Sequence, residues 1–134
     1  MPQNDDAVLR IKKSASDLTE MALRHHGKRL AYDEASLTWI EEMIIDRVGQ
    51  VLTGEDQRVL IGMVGAFLGE ALIASYGGEW KEDSKYGWGV HSLLGGNNAF
   101  FPFAKTEKRF QRIEGESISG FFAFIPEVVR YRSA

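Results

Sequence analysis

Residues 59–74 read VLIGMVGAFLGEALIA, an apolar run whose only charged side chain is Glu70. A run of this length with no strict alternation reads as a helix buried on several sides. Thr53 offers an N-cap, and Glu55 and Asp56 place negative charge in the first turn, where the helix dipole favours it. Gly77-Gly78 ends the helix after Tyr76. At 100° per residue, Gly62, Gly65, Gly69 and Tyr76 share one stripe, with Glu70 about a quarter-turn away over Val59, Met63 and Ala66. Each interior glycine costs about 1 kcal/mol against alanine, so three of them predict close approach by another element. The run is shorter than the ~20 residues that span a bilayer, which predicts a core helix and no membrane contact.

The chain before this helix is helical and acidic. Val8, Ile11, Ala15, Leu18 and Ala22 step by three and four, which predicts an amphipathic helix from Asp5 to His26, stopped by Gly27. Ser16 and Asp17 favour N-caps and offer a break within it. A second helix is expected from Asp33 or Ser36 to about Leu52, with Leu37, Ile40, Met43, Ile44 and Val48 inward and Glu41, Glu42 and Asp46 on an acidic outer face.

After Gly78 the period shortens. Trp80 and Tyr86–Val90 read as strands around a turn at 82–85, and Gly95-Gly96-Asn97-Asn98 reads as another turn before the short strand Ala99-Phe100-Phe101. Pro102 opens a helix whose basic side shows Lys105, Lys108, Arg109 and Arg112, and Gly115 closes it. The tail is rich in apolar rings at Phe121, Phe122 and Phe124, with Pro126 limiting any helix there. The fold class is therefore α+β in one domain, 1–134. A helical acidic part (1–56) precedes the central helix, an antiparallel sheet of two to four strands, and a C-terminal helical part (57–134).

The sequence of Leu68-Gly69-Glu70 in a helix, the glycine-bounded Gly77-Gly78-Glu79-Trp80, and Phe100-Phe101-Pro102 before Lys105, Lys108 and Arg109 resembles an uncharacterised bacterial family. The resemblance covers roughly residues 59–115. It implies a small α+β domain and supplies no reaction, so it carries no catalytic residue onto this chain.

Composition narrows the chemistry. The 134 residues include no cysteine, which excludes disulfides and thiolate chemistry. The first ten residues lack a basic stretch followed by an apolar one, so no secretory leader is expected and the cytoplasm is the default address. The net charge of −3 gives no argument for nucleic acid, which would need a larger unopposed positive surface. Residues 1–56 carry eleven acids and seven bases, residues 81–134 six acids and eight bases, so the two parts either attract each other or present solvated surfaces. His25 and His26 point about 100° apart on a helix and do not form a metal site together. The glycine clusters match no phosphate loop, and no serine stands in a nucleophile elbow. No catalytic residue, metal or cofactor is expected.

Glu70 is the residue to explain. It is either a structural anchor, held by backbone N–H groups or by a base such as Lys105, Lys108 or Arg109, or a solvated side chain, or a general acid or base with a raised pKa. The anchor is the favoured reading. Exposure of Trp88 or Phe121 marks an interface. The expected function is that of a non-catalytic interaction module, immunity- or adaptor-like, binding a protein partner or a second copy of itself. The alternative is a small-molecule binder or enzyme using Glu70 in a pocket lined by Trp80 or Trp88.

Overall fold

The computed structural model describes residues 2–133, and side chains from 5 to 132. The expected absence of a leader falls partly on Met1 and the side chains of 2–4, which lie outside the described residues. Helix α1 (Pro2–His26) runs without a break through Ser16 and Asp17. Its predicted stripe is inward, with Ala15, Leu18 and Ala22 fully buried, and that continuous face outweighs the local capping preference. Gly27 takes φ +64° and its N–H reaches the Leu23 carbonyl, closing the helix in the left-handed conformation glycine tolerates.

Helix α2 covers residues 34–51. Asp33 caps it, accepting from the Ser36 N–H at 2.9 Å. Glu34–Trp39 is α-helical, Ile40–Val48 is a π-helix with i→i+5 hydrogen bonds, and Gly49–Val51 returns to α. Helix α3 (Gly54–Tyr76) is the centre of the molecule. Helices α1 and α4 (Pro102–Phe110) make the most extensive contacts with it. At 23 residues, with a mean hydropathy of 1.8 over its most apolar 18-residue window, α3 is long and apolar enough to cross a membrane by length and composition. The expectation that it is too short counted only 59–74, whereas the helix also takes in Gly54–Arg58 and Ser75-Tyr76. Half of that window is buried inside the fold.

Strands β1 (Glu79–Asp83), β2 (Gly87–His91) and β3 (Ala99–Phe100) form an antiparallel sheet in sequence order. Trp80 pairs with Val90, and Val90 with Phe100, so one sheet face delivers three buried side chains onto the core. The Asp83 carboxylate accepts from the Lys85 and Tyr86 N–H groups and fixes the first turn. The Asn98 side chain donates to the Leu93 carbonyl and accepts from its N–H, fixing the second. The fold class is α+β, as the period changes along the chain require.

The last helix, α5 (Ile118–Ser133), departs from expectation because Pro126 lies inside it. Proline has no N–H for the carbonyl of residue 122. The Tyr76 hydroxyl supplies the missing donor, at 2.7 Å from the Phe122 carbonyl, and its ring packs on Phe122 at 5.2 Å. The end of α3 thus completes the hydrogen bonding that α5 cannot complete alone.

Candidate functional site

The Glu70 carboxylate is 13 % exposed and is answered from two sides. The Trp80 indole N–H donates to it at 2.9 Å, and the half-exposed Lys12 ammonium lies 3.3 Å away. Tyr32 is close enough that its hydroxyl is pushed above its ordinary value, by burial first and then by the Glu70 charge. Gly69 explains how Trp80 reaches this position. A Cβ there would lie 2.0 Å from the indole, so glycine is what lets the ring lie against the α3 backbone. Gly65 does the same for Phe103, at 2.5 Å. Glu70 is therefore an anchor joining α1, α3 and β1, but its partners are not those expected. Lys105, Lys108 and Arg109 are engaged elsewhere, because α4 turns its basic side toward α2 and the loop before α5.

Lys105 pairs with Glu116, and Lys108 lies 3.9 Å from the same carboxylate. Lys105 holds Glu116 below the ordinary carboxylate range. Arg109 spans Glu41, at 2.7 Å, and Asp46, at 2.9 Å. Its guanidinium is held above its ordinary value, chiefly by Asp46, with burial opposing and Glu41 adding. In an α-helix, residues five apart lie about 140° apart around the axis. The π geometry of 40–48 is what brings Glu41 and Asp46 under one guanidinium.

Glu41 corrects the sequence reading most sharply. Expected on an acidic outer face, it is buried. Its carboxylate accepts from the backbone N–H groups of Ile118 and Ser119 and from the hydroxyls of Ser117 and Ser119, all within 3.0 Å. It therefore caps α5 from another helix, where the dipole also favours negative charge. Burial pushes its pKa up, but the Ser119 hydroxyl and N–H, Arg109 and the Ile118 N–H together outweigh that and hold it below the ordinary range.

Several grooves open on the described surface, and two of them gather candidate functional side chains. The first is a groove of about 340 Å³ where the sheet edge, α4 and α5 meet. Tyr86, Phe100, Phe101 and Phe121 line it with Lys105, Lys108 and Arg132. The rings touch in pairs, Tyr86 with Phe101 at 5.4 Å and Phe100 with Phe121 at 5.9 Å. Two of the cations sit on them: Lys105 lies 5.2 Å from the Phe121 centroid and Arg132 4.9 Å from that of Phe100. Arg132 also borders an apolar groove on α5, lined by Phe124, Val128 and Tyr131. Phe124 is 62 % exposed, while Phe122 and Ile125 face inward. The second surface is a smaller cavity between α1 and α3, and Trp88 lines it.

The structure thus brings Phe121 together with Lys105 and Lys108, separates Arg109 from them, and places Trp88 and Glu70 at different sites. Tyr86, Phe101 and Arg132 complete the groove and were not singled out by the sequence, where nothing links a turn, a strand end and the last helix. Among the described residues no cluster of His, Asp or Glu is arranged to hold a metal ion.

Comparison with protein-family models, with curated proteins and with solved structures finds no match for this chain.

Proposed function

We propose that this chain is a non-catalytic interaction module, bacterial and cytoplasmic, that holds an acidic segment of a partner protein in the groove between the sheet edge, α4 and α5. The observation that carries this reading is the company of four aromatic rings and three cations in one groove on a chain whose net charge is −3, with Glu116 the one carboxylate that Lys105 and Lys108 share and Arg132 lying over Phe100. Rings and guanidinium groups supply the anchors that dominate protein interfaces, and a local positive field selects an acidic partner and speeds its arrival. The exposed Phe124 and Tyr131 extend the surface along α5 for apolar side chains of the same partner. An immunity or adaptor protein works through such a surface, by analogy of size and chemistry.

The test uses a fluorescein-labelled peptide of glutamates flanking a Phe-Leu pair, followed by polarisation. Saturable binding is expected. It weakens at least tenfold when the glutamates become lysines, when the Phe-Leu pair becomes serines, and when the protein carries Lys108→Glu with Arg132→Glu. Equal binding of the serine peptide, or of the double variant, overturns the reading. A concentration-dependent dimer abolished by the double variant makes a second copy the occupant instead of an acidic partner.

A further inference from the structure

The cavity between α1 and α3 is independent of that groove. It holds about 270 Å³, close to the lower end of the ~300–1,000 Å³ of small-ligand pockets. Its apolar lining is Ile11, Gly62, Ala66 and Phe103, joined by the Trp88 ring. Its polar lining is of one kind. Arg10 and Ser14, one helical turn apart on α1, both border it. Among the described residues the Arg10 guanidinium has no ion pair, and neither the Ser14 hydroxyl nor the Trp88 indole N–H has a hydrogen-bond partner. Each of the three can donate, and among the described residues no carboxylate lines the cavity.

Gly62 adds an independent point. Gly65 and Gly69 are required by Phe103 and Trp80, but a Cβ at Gly62 would meet nothing within 4 Å. A mid-helix glycine costs about 1 kcal/mol against alanine, and among the described residues no neighbouring side chain uses the space it leaves. The space belongs to the cavity.

We propose that this cavity binds a small aromatic carboxylate. The ring lies on the apolar lining at Gly62 and Ala66 beside Trp88 and Phe103, and the carboxylate meets Arg10, whose planar fork matches it, with Ser14 as a further donor. The probe is benzoate, with the neutral benzamide and the ringless acetate as controls, titrated into ¹⁵N-labelled protein. Saturable shifts are expected at Arg10, Ser14, Gly62 and the Trp88 indole, with benzamide and acetate each at least tenfold weaker. Arg10→Gln lowers benzoate affinity at least tenfold and leaves benzamide unchanged. Gly62→Leu abolishes binding without lowering Tm, because the added side chain enters open space. Absence of saturable shifts in the wild-type protein overturns the proposal, as does equal binding of benzamide, or unchanged benzoate affinity in Arg10→Gln. The groove variants Lys108→Glu and Arg132→Glu leave benzoate binding intact, which separates a failure here from a failure of the partner groove.

Discussion

Glu41 accepts five hydrogen bonds, from two serine hydroxyls, two backbone N–H groups and Arg109, whereas Glu70 is held by one indole N–H and one half-exposed lysine. Replacing Glu41 with Gln removes the charge these donors converge on and turns an amide NH₂ toward them. We expect a loss of about 2–4 kcal/mol in urea unfolding. Glu70→Gln keeps an acceptor for Trp80 and loses only the ion pair to a half-exposed lysine, so its cost is about 1 kcal/mol or less. A larger loss for Glu70→Gln than for Glu41→Gln contradicts this ranking. The lowered pKa of Glu41 gives the pH dependence its sign. The folded state binds that proton less readily than the unfolded state, so the stability it contributes is full above the ordinary glutamate value near 4.5 and falls as pH drops below it. Unfolding midpoints followed from pH 7 to pH 3 should show this loss, and it should shrink in Glu41→Gln. The glycines of α3 divide in the same way. Gly62→Ala should raise stability by up to ~1 kcal/mol, while Gly69→Ala forces Trp80 off the helix and should lower it by ~1–3 kcal/mol. Thermal unfolding of the two variants should give Tm shifts of opposite sign.

At the scale of elements, α2 and α5 show why helical periodicity found the helices and misread some of their faces. Leu37, Ile40 and Ile44 are buried as their spacing predicts, but the i→i+5 turns of 40–48 carry Ile45 and Glu41 inward as well. A reading at 100° per residue has no means of anticipating that wider turn, since no proline or glycine marks it. Pro126 is the converse case. It argues against a helix by local rules, and the helix persists because a residue fifty positions earlier donates to the free carbonyl. Tyr76→Phe removes that donor and should cost about 1–2 kcal/mol. In a Pro126→Ala background the helix supplies its own N–H, so the same change should cost at least ~0.5 kcal/mol less. Strict additivity in this double-mutant cycle shows that the two residues do not act together.

For the molecule as a whole, α+β architecture, the central helix and the three short strands were legible because each rests on local pattern and turn chemistry. Which acid meets which base was not. Lys105, Lys108 and Arg109 are adjacent on one helix, yet Arg109 turns to α2 while the lysines turn to Glu116, and only the packing of α4 between α2 and α5 decides it. Arg109 does join the basic C-terminal part to the acidic N-terminal part, so part of the charge asymmetry is spent on cohesion. Three more bases of the C-terminal part, Lys105, Lys108 and Arg132, line the groove, where Phe121 and Lys108 were visible in sequence and Tyr86, Phe101 and Arg132 became their neighbours only through the return of α5 across the sheet edge. The groove is tested most directly by a chemical-shift map of the ¹⁵N-labelled protein with the glutamate-flanked Phe-Leu peptide. Shifts are expected to concentrate at Tyr86, Phe101, Lys108, Phe121 and Arg132, with Arg10, Gly62 and Trp88 unmoved. Shifts scattered over the surface, or centred away from the groove, would contradict binding there.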